Sequence, residues 1–244
     1  MTKKRLQKII SESGLSSRRQ AERLLNENRV TINGKVAKVG DKADLNIDLV
    51  LVDGNKINIQ RDIKVIILNK PKGILSTCSD ELKRKTVIDL MPNEIRKGLY
   101  PIGRLDRDSK GLILLTNHGD LALKLTHPRY EHIKTYKVSI KGYLSTEKLI
   151  HWEKGVLLDG IRTKEACIKF ISKKNNTTNL EIKIREGRKR QIRRIAELLG
   201  HPVIELKRTE FAGIKLGSLK EGHYRKLGED EKNNLVYKSN NNNK

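Results

Sequence analysis

The chain is 244 residues long, with 36% apolar and 4% aromatic residues, which suffices for one large domain or for a small and a medium one. Its 52 Lys and Arg against 29 Asp and Glu give a formal charge of +23. Such an excess indicates a polyanionic partner, with nucleic acid as the first candidate. An anionic membrane surface is the weaker alternative, because no stretch approaches the ~20 apolar residues of a spanning helix.

The cysteines and histidines argue against a disulfide scaffold and against a metal centre. Cys78 and Cys167 are the only cysteines, and they lie far apart without a CxxC pair. The six histidines are scattered, and the sequence has no GxGxxG, Walker or HExxH motif, so neither a metal nor a cofactor is expected. The N-terminus lacks the apolar region of a signal peptide, which predicts a reducing, cytoplasmic compartment.

The first third of the chain predicts two short helices followed by small strands. Residues 3 to 13 have helical periodicity, which predicts a first helix that ends at Gly14. The sequence Ser17-Arg-Arg-Gln20 has the form of a capping box and predicts the start of a second helix. Short hairpins turn at Asn33-Gly34 and Asp53-Gly54. Three arginines lie in the first turn and a half of the second helix, where free backbone N–H groups favour an anion: Arg18, Arg19 and Arg23.

This unit resembles the S4 RNA-binding domain from about Lys3 to Ile59. The resemblance rests on Arg5-Leu6, on Ser17-Arg-Arg-Gln-Ala21 and on Arg29-Val-Thr-Ile-Asn-Gly34. In that family the second helix and the hairpin face RNA. The resemblance therefore implies phosphate contacts from four cations, although ordinary solvated charges are the alternative: Arg18, Arg19, Arg23 and Lys35.

The composition also predicts where the domains end. Polar residues around Arg61 separate two apolar strand signals, and we place a linker at 61–63 between a domain at 1–60 and a second one at 64–230. Residues 231–244 are rich in Lys and Asn and are predicted to be disordered.

The second domain opens with an apolar strand pattern at 65–69 that runs into Lys70-Pro-Lys-Gly73. Proline and glycine predict a turn there. We expect both lysines of this turn, Lys70 and Lys72, to be exposed and available to RNA.

A Gly-flanked turn places Asp106 between Arg104 and Arg107, ahead of an apolar run at 112–115 that predicts a buried strand. Neighbouring cations favour an ionised carboxylate, which suits a nucleophile or an electrostatic group better than a general acid. The alternative is structural, because Asp in such a turn commonly hydrogen-bonds its own backbone.

Two further segments carry candidate functional side chains. Tyr136 lies in a strand pattern at 134–140, where it either packs in the core or provides a platform for a base. Residues 183–194 hold seven basic residues and one acid, and an amphipathic helix begins within them. Arg193 lies beside the apolar stripe of that helix, at a position from which it could point into a cleft. Arg188 and Arg190 are candidates for solvent or phosphate contact.

The second half resembles the pseudouridine synthases of the RsuA/RluB group, over about residues 64 to 228. Four motifs carry this resemblance in the family's order: Asn69-Lys-Pro-Lys-Gly73, Gly103-Arg-Leu-Asp106, Lys134-Thr-Tyr136 and Glu186-Gly-Arg-Lys-Arg-Gln-Ile-Arg193. The resemblance implies an α+β protein. A small S4 domain would precede a catalytic domain whose mixed, largely antiparallel sheet is flanked by helices.

The resemblance also implies a role for each candidate residue. Asp106 matches the catalytic aspartate, which attacks the target uridine at C1′ or at C6, and Tyr136 matches the tyrosine that stacks on the uracil. Arg193 matches the basic residue that pairs with the aspartate. Arg104 lies where a side chain can help to hold the flipped nucleotide, and flipping a base costs a few kcal/mol.

The expected partner is ribosomal RNA or a pre-ribosomal particle, with large-subunit 23S rRNA preferred over small-subunit 16S rRNA. We expect a monomer that needs no cofactor, no metal and no membrane. A non-catalytic S4-type ribosome assembly factor is the alternative from another class of function.

Overall fold

The computed structural model describes residues 3–58 and 62–241. The chain divides into two compact units. The first comprises the chain up to Lys64 together with Pro92–Tyr100 and Thr116–Gly119, and the second comprises the remainder. Of the predicted linker at 61–63, Arg61 lies outside the described residues, as does Ile59 at the end of the S4-like stretch.

The first unit contains short helices and short strands. The helices are α1 (Leu6–Glu12), α2 (Arg18–Asn26) and α3 (Asn93–Arg96). The strands are β1 (Lys4–Arg5), β2 (Val30–Ile32), β3 (Lys35–Val36), β4 (Lys42–Ala43), β5 (Val50–Val52) and β6 (Asn55–Lys56). Strands β3, β2, β5 and β6 form one small sheet in that order, and β1 pairs with β4.

Local sequence signals set this arrangement. The Ser17 hydroxyl accepts a hydrogen bond from the Gln20 backbone N–H at 3.2 Å, which confirms the predicted cap of α2. Asn33 and Asp53 adopt positive φ angles of about 50° and are each followed by glycine, as the two-residue hairpin turns require. One apolar cluster holds the unit together, and its buried members include Leu6, Ile9, Ile10, Ala21, Leu25, Val30 and Val52.

The second unit is built on one sheet, for which the described residues provide nine strands in the order β13-β14-β10-β15-β9-β7-β17, with β16 beside β15 and β8 beside β9. Its strands are β7 (Val65–Lys70), β8 (Tyr100–Ile102), β9 (Lys110–Thr116), β10 (Lys134–Lys141), β13 (Cys167–Lys174), β14 (Thr177–Ile184), β15 (Val203–Phe211), β16 (Ile214–Lys215) and β17 (Tyr224–Lys226). A separate hairpin pairs β11 (Leu157–Leu158) with β12 (Ile161–Arg162).

The sheet is mixed and largely antiparallel, which confirms the expected fold class. Strand β10 is antiparallel to both β14 and β15, whereas β15 and β9 run parallel. Four helices belong to this part of the chain: α4 (Gly119–Thr126), α5 (Thr146–Glu153), α6 (Gln191–Leu198) and α7 (Glu229–Asn241). The predicted buried strand at 112–115 is confirmed, since each of its four leucine and isoleucine side chains is fully buried.

The C-terminal segment differs from its prediction. The structure places α7 over much of 231–244, the segment for which the sequence predicts disorder, while residues 242–244 lie outside the described part. Leu235 is buried in the apolar cluster of the second unit, and Arg225 forms an ion pair with Glu231 at 2.6 Å. Composition alone misses this helix because Leu235 packs against residues distant in the sequence and Glu231 pairs with an arginine outside the helix.

Candidate active site

The loop that carries Asp106 connects β8 to β9 and is held from both sides. The Ser76 hydroxyl donates to the Leu105 carbonyl at 2.8 Å and accepts from the Leu105 N–H at 3.1 Å. On the other side, the Gly73 N–H donates to the Arg107 carbonyl at 2.7 Å. These hydrogen bonds fix the backbones of Leu105 and Arg107, the two neighbours of Asp106. The Asp106 side chain is therefore positioned without a hydrogen bond to its own carboxylate.

Asp106 itself is half-buried at the wall of a cleft of about 950 Å³ in the second unit. Among the described residues, its carboxylate neither accepts a hydrogen bond nor forms an ion pair; only its backbone carbonyl is engaged, by the Ser109 N–H at 3.1 Å. The structural alternative, a side chain that hydrogen-bonds its own backbone, is therefore not what the structure shows. A half-buried carboxylate facing a cleft can act as a nucleophile.

Tyr136 lines the same cleft from the sheet. It lies on β10, its ring is 8% exposed, and its hydroxyl has no hydrogen-bond partner within the described part of the chain. A core tyrosine would have its hydroxyl satisfied. The unbonded hydroxyl differs from the packing alternative, and the role of Tyr136 as a platform for a base stays a prediction.

Asp108 is the centre of the ion pairs in this loop. Arg190 donates to it twice, to Oδ1 at 2.9 Å and to Oδ2 at 3.0 Å. Arg193 places Nε 3.3 Å from Asp108 Oδ2, and its Nη2 donates to the Asp108 carbonyl at 3.0 Å and lies 3.3 Å from Ser109 Oγ. Burial by itself would raise the pKa of Asp108, but the Arg190 hydrogen bonds and the Arg193 charge outweigh burial and lower that pKa below its ordinary value.

Arg193 thus differs from its expected pairing. Its ion-pair partner in the structure is Asp108, two residues beyond Asp106. Burial lowers the pKa of Arg193, the charge of Asp108 opposes that change, and the charge of Asp106 makes a smaller contribution of the same sign. Arg193 therefore lies within electrostatic range of Asp106 while its donors hold the following residues of the loop. Sequence spacing did not single out Asp108, although it lies in the same turn.

Lys70 corrects a second expectation. The sequence predicts an exposed lysine, but Lys70 is 0% exposed at the end of β7. Its Nζ donates to the Pro71 carbonyl at 2.9 Å and lies 3.5 Å from the Arg107 carbonyl, beside the Asp106 loop. Burial lowers the pKa of Lys70 to about 8, although the charges of Asp108, Asp106 and Glu221 oppose that change. Lys72 is exposed, as expected.

The remaining predicted cations fall into two groups. Arg104 is exposed at the cleft, and four cations of the first unit are exposed on α2 and β3: Arg18, Arg19, Arg23 and Lys35. Arg188 has its guanidinium engaged, because it donates to the Ile161 and Arg162 carbonyls at 2.9 and 2.8 Å. Arg190 is engaged by Asp108 as described above. These two arginines therefore shape the site, and their contact with RNA stays a prediction.

The structure also reports on metals and membranes. Within the described ranges, no group of three or more His, Cys, Asp and Glu side chains is placed to hold a metal ion. No helix found in the described residues is long and apolar enough to cross a membrane.

Comparison with known proteins shows the family to which the chain belongs. The family described as RNA pseudouridylate synthase matches residues 64–198, and the S4 domain matches residues 4–46. With that match over more than half of its length, the chain belongs to the RNA pseudouridylate synthase family, and its N-terminal part is an S4 domain. The sequence resemblances to both families are thereby confirmed.

Individual relatives cover nearly the whole chain. The ribosomal large subunit pseudouridine synthase B of Bacillus subtilis (strain 168) is 43% identical over 226 residues, which are 91% of this chain and 91% of that protein. The dual-specificity RNA pseudouridine synthase RluF of Escherichia coli (strain K12) is 39% identical over 93% of this chain and 76% of that protein. A crystal structure of a pseudouridylate synthase superposes with a TM-score of 0.69 at 30% identity, covering 95% of this chain and 99% of the other.

Proposed function

We propose that this protein isomerises a specific uridine of ribosomal RNA to pseudouridine, with large-subunit 23S rRNA as its substrate and Asp106 as the nucleophile. The observation that carries the proposal is the Asp106 carboxylate, unpartnered within the described chain, at the wall of the cleft that Tyr136 also lines. The large-subunit relative from Bacillus subtilis, at 43% identity, supports the choice of substrate.

The chemistry requires a nucleophile and a place for a detached base, and both are present. Asp106 attacks at C1′ or at C6 and forms a covalent bond there, the C1′–N1 bond breaks, the uracil turns and a C1′–C5 bond forms. The bond to Asp106 then breaks and returns its electron pair to the carboxylate. The proton on C5 is lost and N1 gains one, so atoms and charge balance without a redox partner. Tyr136 stacks on the uracil, an interaction of about 1–3 kcal/mol per base, and its free hydroxyl is available to the C5 proton.

Arg193 has a positioning role in this proposal. Its Nη2 donates to the Asp108 carbonyl and contacts Ser109 Oγ, and these two interactions hold the C-terminal side of the Asp106 loop. Its charge also lies within electrostatic range of Asp106. The arginine thus holds the loop of the nucleophile in place, and Arg104 at the exposed side of the cleft contacts the flipped nucleotide.

RNA binding is assigned first to the S4 domain. The proposed phosphate contacts are the exposed side chains of Arg18, Arg19, Arg23 and Lys35. With ribosomal RNA as substrate, we place the protein in the cytoplasm as a monomer. Each phosphate contact contributes about −0.7 to −0.9 to the slope of log affinity against log salt. Replacing Arg18, Arg19 and Arg23 together by alanine should flatten that slope by about 2. The control is a variant in which Lys215, Lys220 and Lys226 are replaced by alanine. If both variants show the same slope, the three arginines do not contact RNA.

The catalytic proposal is tested by Asp106→Asn with Asp230→Asn as a matched control, since Asp230 is an exposed carboxylate on α7. A strain without the gene lacks pseudouridine at one rRNA site, which the wild-type gene and Asp230→Asn restore and Asp106→Asn does not. The purified Asp106→Asn protein should keep its rRNA affinity. Pseudouridine formed by Asp106→Asn would refute the nucleophile. An unchanged rRNA map in the deletion strain would favour a non-catalytic assembly factor, and a site lost from 16S rRNA would move the substrate to the small subunit.

A further inference from the structure

A buried arginine that the four sequence motifs do not include lies at the floor of the cleft. Arg208, on β15, is 3% exposed and lines the cleft together with Asp106 and Tyr136. In the sheet it is the register partner of Tyr136 on β10, so the two side chains share one face. The arginine is therefore a direct neighbour of the ring on which the base is proposed to stack.

The guanidinium of Arg208 is only partly satisfied. Its Nε donates to the Leu112 carbonyl at 2.7 Å, which fixes the side chain over β9. Its Nη2 is buried and has no hydrogen-bond partner among the described residues. Leaving a buried charged donor unpaired is costly, so such a group is a candidate for contact with a ligand.

A second cation lies next to it. Lys134 is on the same face of β10, two residues before Tyr136, and its Nζ donates to the His132 carbonyl at 2.9 Å. The Lys134 Nζ and the Arg208 Cζ lie 5.9 and 5.0 Å from the centre of the Phe211 ring. Burial lowers the pKa of Lys134 to about 8, and the charge of Arg208 lowers it further, while Glu186 opposes both.

No described carboxylate lies at ion-pair distance from either cation. Two adjacent positive charges, largely withdrawn from water and without a described carboxylate at ion-pair distance, favour a ligand that brings negative charge to this part of the cleft.

The depth of the two cations indicates which part of the RNA they meet. The floor around them is apolar, formed by Ile184, Leu206 and Phe211, and it adjoins the ring of Tyr136. Arg104 and Lys189 also line the cleft but are exposed, so these two cations are the ones open to a phosphodiester backbone. A base stacked on Tyr136 therefore presents the carbonyl oxygens of its polar edge to the deep cations.

The reaction places negative charge on those oxygens. When the C1′–N1 bond breaks, its electron pair stays with the uracil and spreads over N1, O2 and O4. When Asp106 instead attacks C6, the displaced pair forms an enolate at O4. Donors held in place before the reaction stabilise such developing charge most effectively in a site that excludes water.

We infer that Arg208, assisted by Lys134, donates to a carbonyl oxygen of the target uracil and stabilises the negative charge that forms there during the isomerisation. The inference rests on the proposed function. Arg208 is on this account a catalytic residue, in addition to Asp106 and Tyr136, and it acts on the base while Asp106 acts on the sugar or on C6.

The test compares Arg208→Gln and Lys134→Gln with wild type in single-turnover reactions on a 23S rRNA transcript, following release of the C5 hydrogen as tritium. Removing one such donor typically costs about 10²–10³-fold in rate, and we expect that loss for Arg208→Gln and a smaller one for Lys134→Gln. The dissociation constant for rRNA should stay within about 3-fold, since the interaction is made in the transition state. Arg225→Gln, which removes a strand arginine and its pair with Glu231 from β17 of the same sheet, is the control and should react at the wild-type rate.

A chemical substitution in the RNA separates this role from a structural one. Sulfur is a poor hydrogen-bond acceptor, so 2-thiouridine or 4-thiouridine at the target should slow the wild type at the contacted oxygen. The same substitution should leave Arg208→Gln no slower than it already is, which is the signature of a coupled pair. If Arg208→Gln does not fold, Arg208→Lys and Lys134→Gln serve in the same comparison.

Each remaining outcome overturns the inference. Equal rates for wild type and Arg208→Gln, or thio effects that simply add, would show that the arginine only packs the sheet. Weakened rRNA binding at an unchanged rate, or coupling to a phosphorothioate instead of a thiouridine, would make this a phosphate site. A wild-type protein that forms no pseudouridine in any rRNA would refute the proposed function, and that outcome is distinct from a defect confined to the variants.

Discussion

Replacing Ser76 by alanine would remove both hydrogen bonds that hold the N-terminal side of the Asp106 loop. The Ser76 hydroxyl bonds the carbonyl and the N–H of Leu105 at 2.8 and 3.1 Å, and both residues are buried. Each buried backbone group left unpaired costs about 1–3 kcal/mol, so for the two groups we expect a loss of about 2–6 kcal/mol in the free energy of unfolding. For a chain of this size that corresponds to a melting temperature lower by roughly 4–24 °C.

The larger consequence concerns catalysis. With Leu105 released, Asp106 is held only from the Arg107 side, and a displacement of ~1 Å in a reacting group can cost about 10²-fold in rate. Single-turnover pseudouridine formation should therefore fall by about 10- to 100-fold well below the melting temperature. The control is Ser139→Ala, which removes a strand hydroxyl bonded to Asn179 at 2.6 Å. If Ser76→Ala reacts and melts like Ser139→Ala, the hydroxyl does not hold the loop and the reasoning fails.

Three further predictions concern the surroundings of this loop. In Gly111→Ala the new Cβ would lie 2.2 Å from the Arg208 carbonyl oxygen, and the residue would have a φ of +104°. The free energy of unfolding should fall by about 3 kcal/mol or more, which a lower melting temperature would report. A wild-type melting temperature would contradict the close approach of β9 and β15. Because the folded-state pKa of Asp108 is lowered, its stabilisation is present at neutral pH and is lost as the pH falls below about 4; the difference in melting temperature between wild type and Asp108→Asn should therefore shrink with acid, and a constant difference would refute the ion-pair assignment. Burial lowers the pKa of Lys70 to about 8, so as the pH rises the folded state loses that proton before the unfolded state does. The free energy of unfolding should therefore increase between pH 8 and about 10.4. Melting curves of Lys70→Met taken across that range should lack this increase.

The sequence alone determined the structural features that are set by residues adjacent in the chain. The cap at Ser17, the turn at Asn33-Gly34 and the buried strand at 112–115 are local patterns, and the structure shows each of them. The charge of +23 and the motifs also indicated an RNA-modifying enzyme, and the family match agrees.

The partners of charged side chains were decided only by the tertiary structure. Arg193, in the first turn of α6, meets Asp108 rather than Asp106 across a sequence separation of 85 residues. The sequence predicts an exposed Lys70 in a Pro-Gly turn, yet this lysine is buried at the end of β7, beside the Asp106 loop. Arg208 lies in a strand with no catalytic motif and joins the site because β15 pairs with the strand of Tyr136. Local sequence fixes backbone conformation, whereas the burial and pairing of a charge depend on strands that meet only in the folded sheet.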